Sequence, residues 1–141
     1  MTFAIDSNVL LDIFTNDPEY AEASICALTE ASAKGELIAS DIVFAETSSA
    51  FPSPAAFQKQ MQALGIRFVP MSESAALKAG SIWRSYLART RRHPNVQRNC
   101  VVPDFLIGAH ALECADALVT RDRGFLRGYF AGLRIIDPSR R

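Results

Sequence analysis

The sequence predicts an α/β fold built on a parallel sheet flanked by helices. Short apolar runs of three or four residues recur along the chain, each is followed by a longer stretch with helical spacing, and helix caps or breakers sit at the junctions. Strands separated by helices pair in parallel through right-handed crossovers. The 141 residues suit one domain, taken as 1–141, with no internal repeat and no low-complexity linker.

Each element follows from local signals. The run 3–5 (FAI) reads as the first strand and ends at Asp6. Ser7 is placed to cap a short helix carrying Val9, Leu10, Ile13 and Phe14. Asp17-Pro18 predicts the next helix start, with Asp17 as N-cap and Pro18 at the first helical position, running to about Lys34 and stopped by Gly35. Residues 37–39 (LIA) form the second strand. Ser40 or Asp41 then caps a helix containing Ile42, Val43 and Glu46, which Pro52 and Pro54 break. Ser53-Pro54 opens a further helix that ends before Gly65, and Ile66 to Val69 is the third strand. Ser72 starts a long helix through Trp83 and Leu87. The polar stretch 90–99 (TRRHPNVQRN) reads as a loop. Pro103-Asp104 opens another helix, 117–120 (ALVT) is the fourth strand, and 133–136 (LRII) supplies a fifth.

Composition excludes several classes. With 49% apolar and 21% charged residues the chain has globular composition. Its formal net charge is zero, so any attraction for nucleic acid must come from local clustering. Cys26, Cys100 and Cys114 form no CxxC pair, which argues against a zinc site or a disulfide framework and for reduced thiols in a cytoplasmic protein. No stretch approaches the about 20 apolar residues of a membrane span, so no membrane association is expected.

Four carboxylates fall where one sheet edge could collect them. Asp6 and Asp122 lie at or just past the C-terminal ends of predicted strands, the edge where open parallel sheets bind ligands. Asp104 begins a helix, where a carboxylate suits the positive end of the macrodipole. Glu46 sits early on the helix leaving the second strand, beside apolar Phe44 and Ala45. Taken singly each has an ordinary structural reading: Asp6 and Asp104 as N-caps, Asp122 as a turn residue, Glu46 as a solvated helix residue. Spacing alone leaves the joint site and these separate roles evenly matched. A joint site would gather like charges and call for a hard cation such as Mg²⁺ or Mn²⁺.

Between Ser74 and Pro103 there is no acidic residue, while Lys78, Arg84, Arg89, Arg91, Arg92 and Arg98 fall there; Arg121, Arg123 and Arg127 flank Asp122. The plain reading is a solvated helix end and loop. The functional reading is that Arg89, Arg91, Arg92, Arg98, Arg121 and Arg123 bind the phosphate backbone of a nucleic acid beside the acids, since arginine suits phosphate by its bidentate fork. His110 is expected to be a packed, hydrogen-bonded core histidine, because six residues of helix turn it away from Asp104. Asp12 and Asp116 are read as structural, Asp116 at the opposite strand edge.

The segments IDSNVLLD at 5–12, FAE at 44–46, VPDFLIGAHA at 102–111 and LVTRDRGF at 118–125 together resemble the PIN-domain family, and the overall pattern looks like the VapC toxins of bacterial type II toxin–antitoxin pairs. That resemblance covers essentially the whole chain. It implies a five-stranded parallel sheet, RNA cleavage at an acidic Mg²⁺ or Mn²⁺ site, a homodimer and a neutralising antitoxin. Carried over position by position, it implies catalytic and metal-ligating roles for Asp6, Glu46, Asp104 and Asp122, with Asp6 and Asp104 the most direct ligands. Ser7 and Asn8 match the polar pair after the first acid, for which the resemblance implies contact with water or phosphate. Two other functions are weighed against this. A receiver-like Mg²⁺-binding signalling domain needs a lysine at the acidic edge, but Lys34, Lys59 and Lys78 all fall away from strand C-termini. A non-catalytic PIN scaffold that only binds RNA sits less well with an intact acidic quartet.

Overall fold

The computed structural model describes residues 1–92 and 102–140, with the side chains of Arg123, Phe125 and Arg127 outside that description. Five strands, β1 (Thr2–Ile5), β2 (Glu36–Ala39), β3 (Ile66–Phe68), β4 (Ala117–Val119) and β5 (Ile135–Ile136), form one sheet in the order β3-β2-β1-β4-β5, every pair parallel. The chain first steps from β1 to β2 and β3 on one side, then returns to place β4 and β5 on the other. β1 and β4 are therefore neighbours at the reversal of strand order, and their C-terminal ends flank the crevice where such sheets bind ligands. Asp6 extends this pairing, its N–H donating to the Val119 carbonyl at 3.0 Å.

The helices are α1 (Ser7–Phe14), α2 (Ala21–Lys34), α3 (Asp41–Ser48), α4 (Pro54–Ala63), α5 (Glu73–Arg92), α6 (Val102–Cys114) and α7 (Arg123–Tyr129). No helix among the described residues is long and apolar enough to cross a membrane. Both faces of β1 are covered, so Phe3, Ala4 and Ile5 are all buried, as a central parallel strand requires. α6 packs closely at Gly108, where a Cβ would stand 2.5 Å from the ring of Phe130, so a larger residue there would force the ring or the helix to shift.

Several boundaries differ from the sequence expectation, each for a local reason. α1 is capped by Asp6, whose side chain accepts from the Ser7 N–H, and not by Ser7. α2 starts at Ala21, because Asp17 spends its carboxylate on the N–H groups of Glu19 and Tyr20 and closes a turn there first. Of the two cap candidates for α3, Ser40 is the one that caps it, accepting from the Val43 N–H, as the sequence allowed. α5 runs on to Arg92, so Arg91 and Arg92, expected in the loop 90–99, ride on a helix. α7, which the local sequence pattern does not signal, begins one residue after Asp122. His93 and Arg98 lie outside the described residues.

Candidate metal centre

Asp6 is at the middle of the site. It sits in the turn from β1 to α1 and is only 8% exposed. Its Oδ1 accepts from the Ser7 N–H at 2.6 Å and its Oδ2 from the Thr120 hydroxyl at 2.6 Å. Burial pushes its carboxyl from the ordinary 3.8 to about 6, against the lowering by these two hydrogen bonds and with the charges of Glu46 and Asp104 adding to the rise. A carboxylate so held gains by meeting a cation.

The other three acids come from three separate elements. Glu46, in the second turn of α3, accepts from the Ser7 hydroxyl at 2.8 Å, which ties α3 to the N-terminus of α1. Asp104 stands in the first turn of α6, half-buried. Asp122 occupies the N-cap position of α7 without capping it. Its carboxyl is raised, first by desolvation and then by the charge of Asp104. Asp6 thus feels Glu46 and Asp104, and Asp122 feels Asp104, which links all four acids in one electrostatic cluster. Among the described residues no three His, Cys, Asp or Glu side chains stand close enough together to hold a metal ion as they are placed here. The donor chemistry nevertheless suits a hard divalent ion: the four acids offer only carboxylate oxygens, and Asp6 is pushed toward protonation first by its burial and further by Glu46 and Asp104.

Ser7 and Asn8 serve as struts. Besides the Ser7–Glu46 bond, the Asn8 amide donates to Thr120 Oγ1 at 3.3 Å, and Asn8 Oδ1 accepts from the Arg121 N–H at 3.3 Å. Thr120, fully buried, donates to Asp6 and accepts from the Asp122 N–H at 3.0 Å. Sequence reasoning missed it; its signal was a hydroxyl ending an otherwise apolar strand one residue before Arg121-Asp122.

The expected RNA-binding arginines separate into groups. Arg89, Arg91 and Arg92 lie on the last turns of α5, with the Arg89 guanidinium 6.0 Å from the centre of the Tyr129 ring. Arg98 is outside the described residues, and Arg123 is described only as the first residue of α7. Arg121 was expected to grip RNA, but its Nε and Nη2 are engaged by Asp12 at 2.8 and 2.9 Å, and its guanidinium lies 4.1 Å from the centre of the Tyr20 ring. This contact uses the Nε hydrogen and one Nη2 hydrogen, so of the guanidinium donors only the Nη1 side is left for a phosphate. The discounted residues behave as expected: His110 is buried with Nε2 2.8 Å from the Val69 carbonyl oxygen, and Asp116 accepts from the Thr2 N–H at the opposite edge.

Residues 3–131 match the family described as PIN domain. No curated protein matches the chain. Among solved structures, VapBC2 from Rickettsia felis bound to a promoter DNA fragment superposes with a TM-score of 0.65 at 17% identity, covering 97% of this chain and 98% of that one. FitAcB from Neisseria gonorrhoeae gives 0.64 at 20% identity over 99% of both chains. A toxin–antitoxin complex from Klebsiella pneumoniae gives 0.63 at 22% identity over 96% of both.

Proposed function

Because this chain belongs to the PIN-domain family, we propose that it is a metal-dependent ribonuclease, hydrolysing RNA phosphodiester bonds at Asp6, Glu46, Asp104 and Asp122. The observation that carries the reading is the buried Asp6 carboxylate, raised to about 6 with Glu46 and Asp104 acting on it at the crevice between β1 and β4. When bound, Mg²⁺ or Mn²⁺ supplies an activated water and offsets charge developing on the phosphodiester. Asp6 and Asp104 would be its principal holders, with Glu46 and Asp122 completing the oxygen set. Ser7 and Thr120 keep Glu46 and Asp6 aimed, and the arginines of α5 lend the positive charge an acidic site needs beside a phosphate backbone.

The same reading makes the chain the toxin of a toxin–antitoxin pair and a homodimer. Support comes from its likeness in fold to a toxin–antitoxin complex and from an open apolar cleft between α3 and α4, lined by Phe44, Phe51, Pro52 and Phe57, which a partner helix would suit. The direct test is cleavage of a labelled RNA by purified protein. Mg²⁺ or Mn²⁺ should be required, chelator should abolish cleavage, and Asp6→Asn and Asp104→Asn should each lose most activity while keeping native circular dichroism. Full activity in chelator or in either variant overturns the reading. RNA binding without cleavage would leave a non-catalytic scaffold.

A further inference from the structure

Loop 120–122 carries two groups of the site: Thr120, which orients Asp6, and Asp122 itself. It is tied to α1 at two points one helical turn apart. The Arg121 N–H binds Asn8, and the Arg121 guanidinium closes bidentate on Asp12, four residues further along the same face. Asp12 is 4% exposed and receives the Ser24 hydroxyl from α2 at 2.9 Å, so its own orientation is set from a third direction. Tyr20 covers the guanidinium face, keeping water from one side of the pair. A planar fork held this way fixes direction as well as distance, which a single ammonium contact could not do.

We propose that the Asp12–Arg121 pair is a positioning clamp: it holds loop 120–122 against α1 so that Asp122 and the Thr120 hydroxyl keep their places around Asp6. Arg121 acts through its neighbours and touches neither cation nor RNA. The consequence for cation binding rests on the metal-dependent reading above; the consequence for loop order does not.

Two variants separate the clamp from plain stability. Arg121→Lys keeps a positive charge on buried Asp12 but loses the fork. Asp12→Asn combined with Arg121→Met removes both charges, leaving no buried ion uncompensated. In metal-free protein, residue-resolved hydrogen exchange should show faster exchange at the Asp122 amide, which donates to Thr120, in both variants, while the β1 and β4 amides stay protected. Mn²⁺ affinity, measured without RNA well below the melting temperature, should fall about 10- to 100-fold. In cleavage assays the loss should appear in kcat with KM for RNA little changed. Unchanged exchange at Asp122 overturns the clamp whatever the metal does. Unchanged Mn²⁺ affinity with a raised KM and a shallower salt dependence also overturns it, returning Arg121 to the RNA backbone. If wild-type protein binds no Mn²⁺ but the Asp122 amide still loosens, the clamp stands and the metal reading fails.

Discussion

Thr120 donates its hydroxyl to Asp6 Oδ2 at 2.6 Å, joining the ends of two strands whose residues lie 114 positions apart in sequence. The same hydroxyl oxygen accepts from the Asp122 N–H, so one buried group registers the first acid against the fourth. Thr120→Val keeps the shape but removes the donor and leaves Asp6 one bond short. It should destabilise the fold by about 1–3 kcal/mol and lower cleavage, whereas Thr120→Ser should restore most of both. Chemical denaturation and turnover of the two variants check this; equal behaviour of Val and wild type would remove Thr120 from the site.

The raised Asp6 carboxyl makes metal-free stability depend on pH. Its folded value, about 6, lies above the ordinary 3.8, so between these values the folded chain binds more protons than the unfolded one. Stability from this group is therefore greatest below about pH 4 and declines as pH rises to about 6, by at most about 3 kcal/mol. Denaturation of wild type and Asp6→Asn at pH 4.5 and 7 should show the variant gaining relative stability at the higher pH. A constant difference would contradict the desolvated, like-charged setting of Asp6. Cation affinity should run the opposite way, because coordination needs the ionised carboxylate. Calorimetric titration should find Mn²⁺ bound more weakly at pH 5 than at pH 7; equal affinity at both would place the cation away from Asp6.

Asp104 bears on both Asp6 and Asp122 as a like charge. Asp104→Asn relieves both, so the metal-free variant should melt a few degrees above wild type, and added Mn²⁺ should stabilise it far less. A lowered melting temperature in the absence of metal would show that Asp104 is held by favourable interactions that outweigh the repulsion.

Arg89, Arg91 and Arg92 ride on the end of α5, a 20-residue helix. If they hold RNA phosphates, the triple alanine variant should bind RNA more weakly across sequences. Its slope of log affinity against log salt should be shallower by about 0.7 for each phosphate that is no longer neutralised. Mn²⁺ affinity should be nearly unchanged. An unaltered slope would make this helix end a solvated face.

Strong expression in a bacterial host should arrest growth, and Asp6→Asn should relieve the arrest. Unimpaired growth with soluble wild-type protein would count against the toxin.

The element order and the sheet-edge positions of Asp6 and Asp122 were legible in the sequence, because apolar periodicity, caps and breakers act over a few residues. The end of α5 and the existence of α7 were not, since a polar arginine-rich stretch and a short Arg-Gly-Phe segment carry no strong periodic signal of their own. Asp17-Pro18 imitates a helix start because its turn hydrogen bonds use the same carboxylate chemistry as a cap. Only the tertiary structure decided what lies beside what. The order β3-β2-β1-β4-β5 sets β4 against β1, and from that follow the Thr120–Asp6 bond and the pairing of Asp12 with Arg121, 109 residues apart. The same packing buries Asp6 and raises its carboxyl. Burial and like-charge proximity are properties of the assembled sheet edge, and residues this distant in sequence meet only through the crossovers that build it.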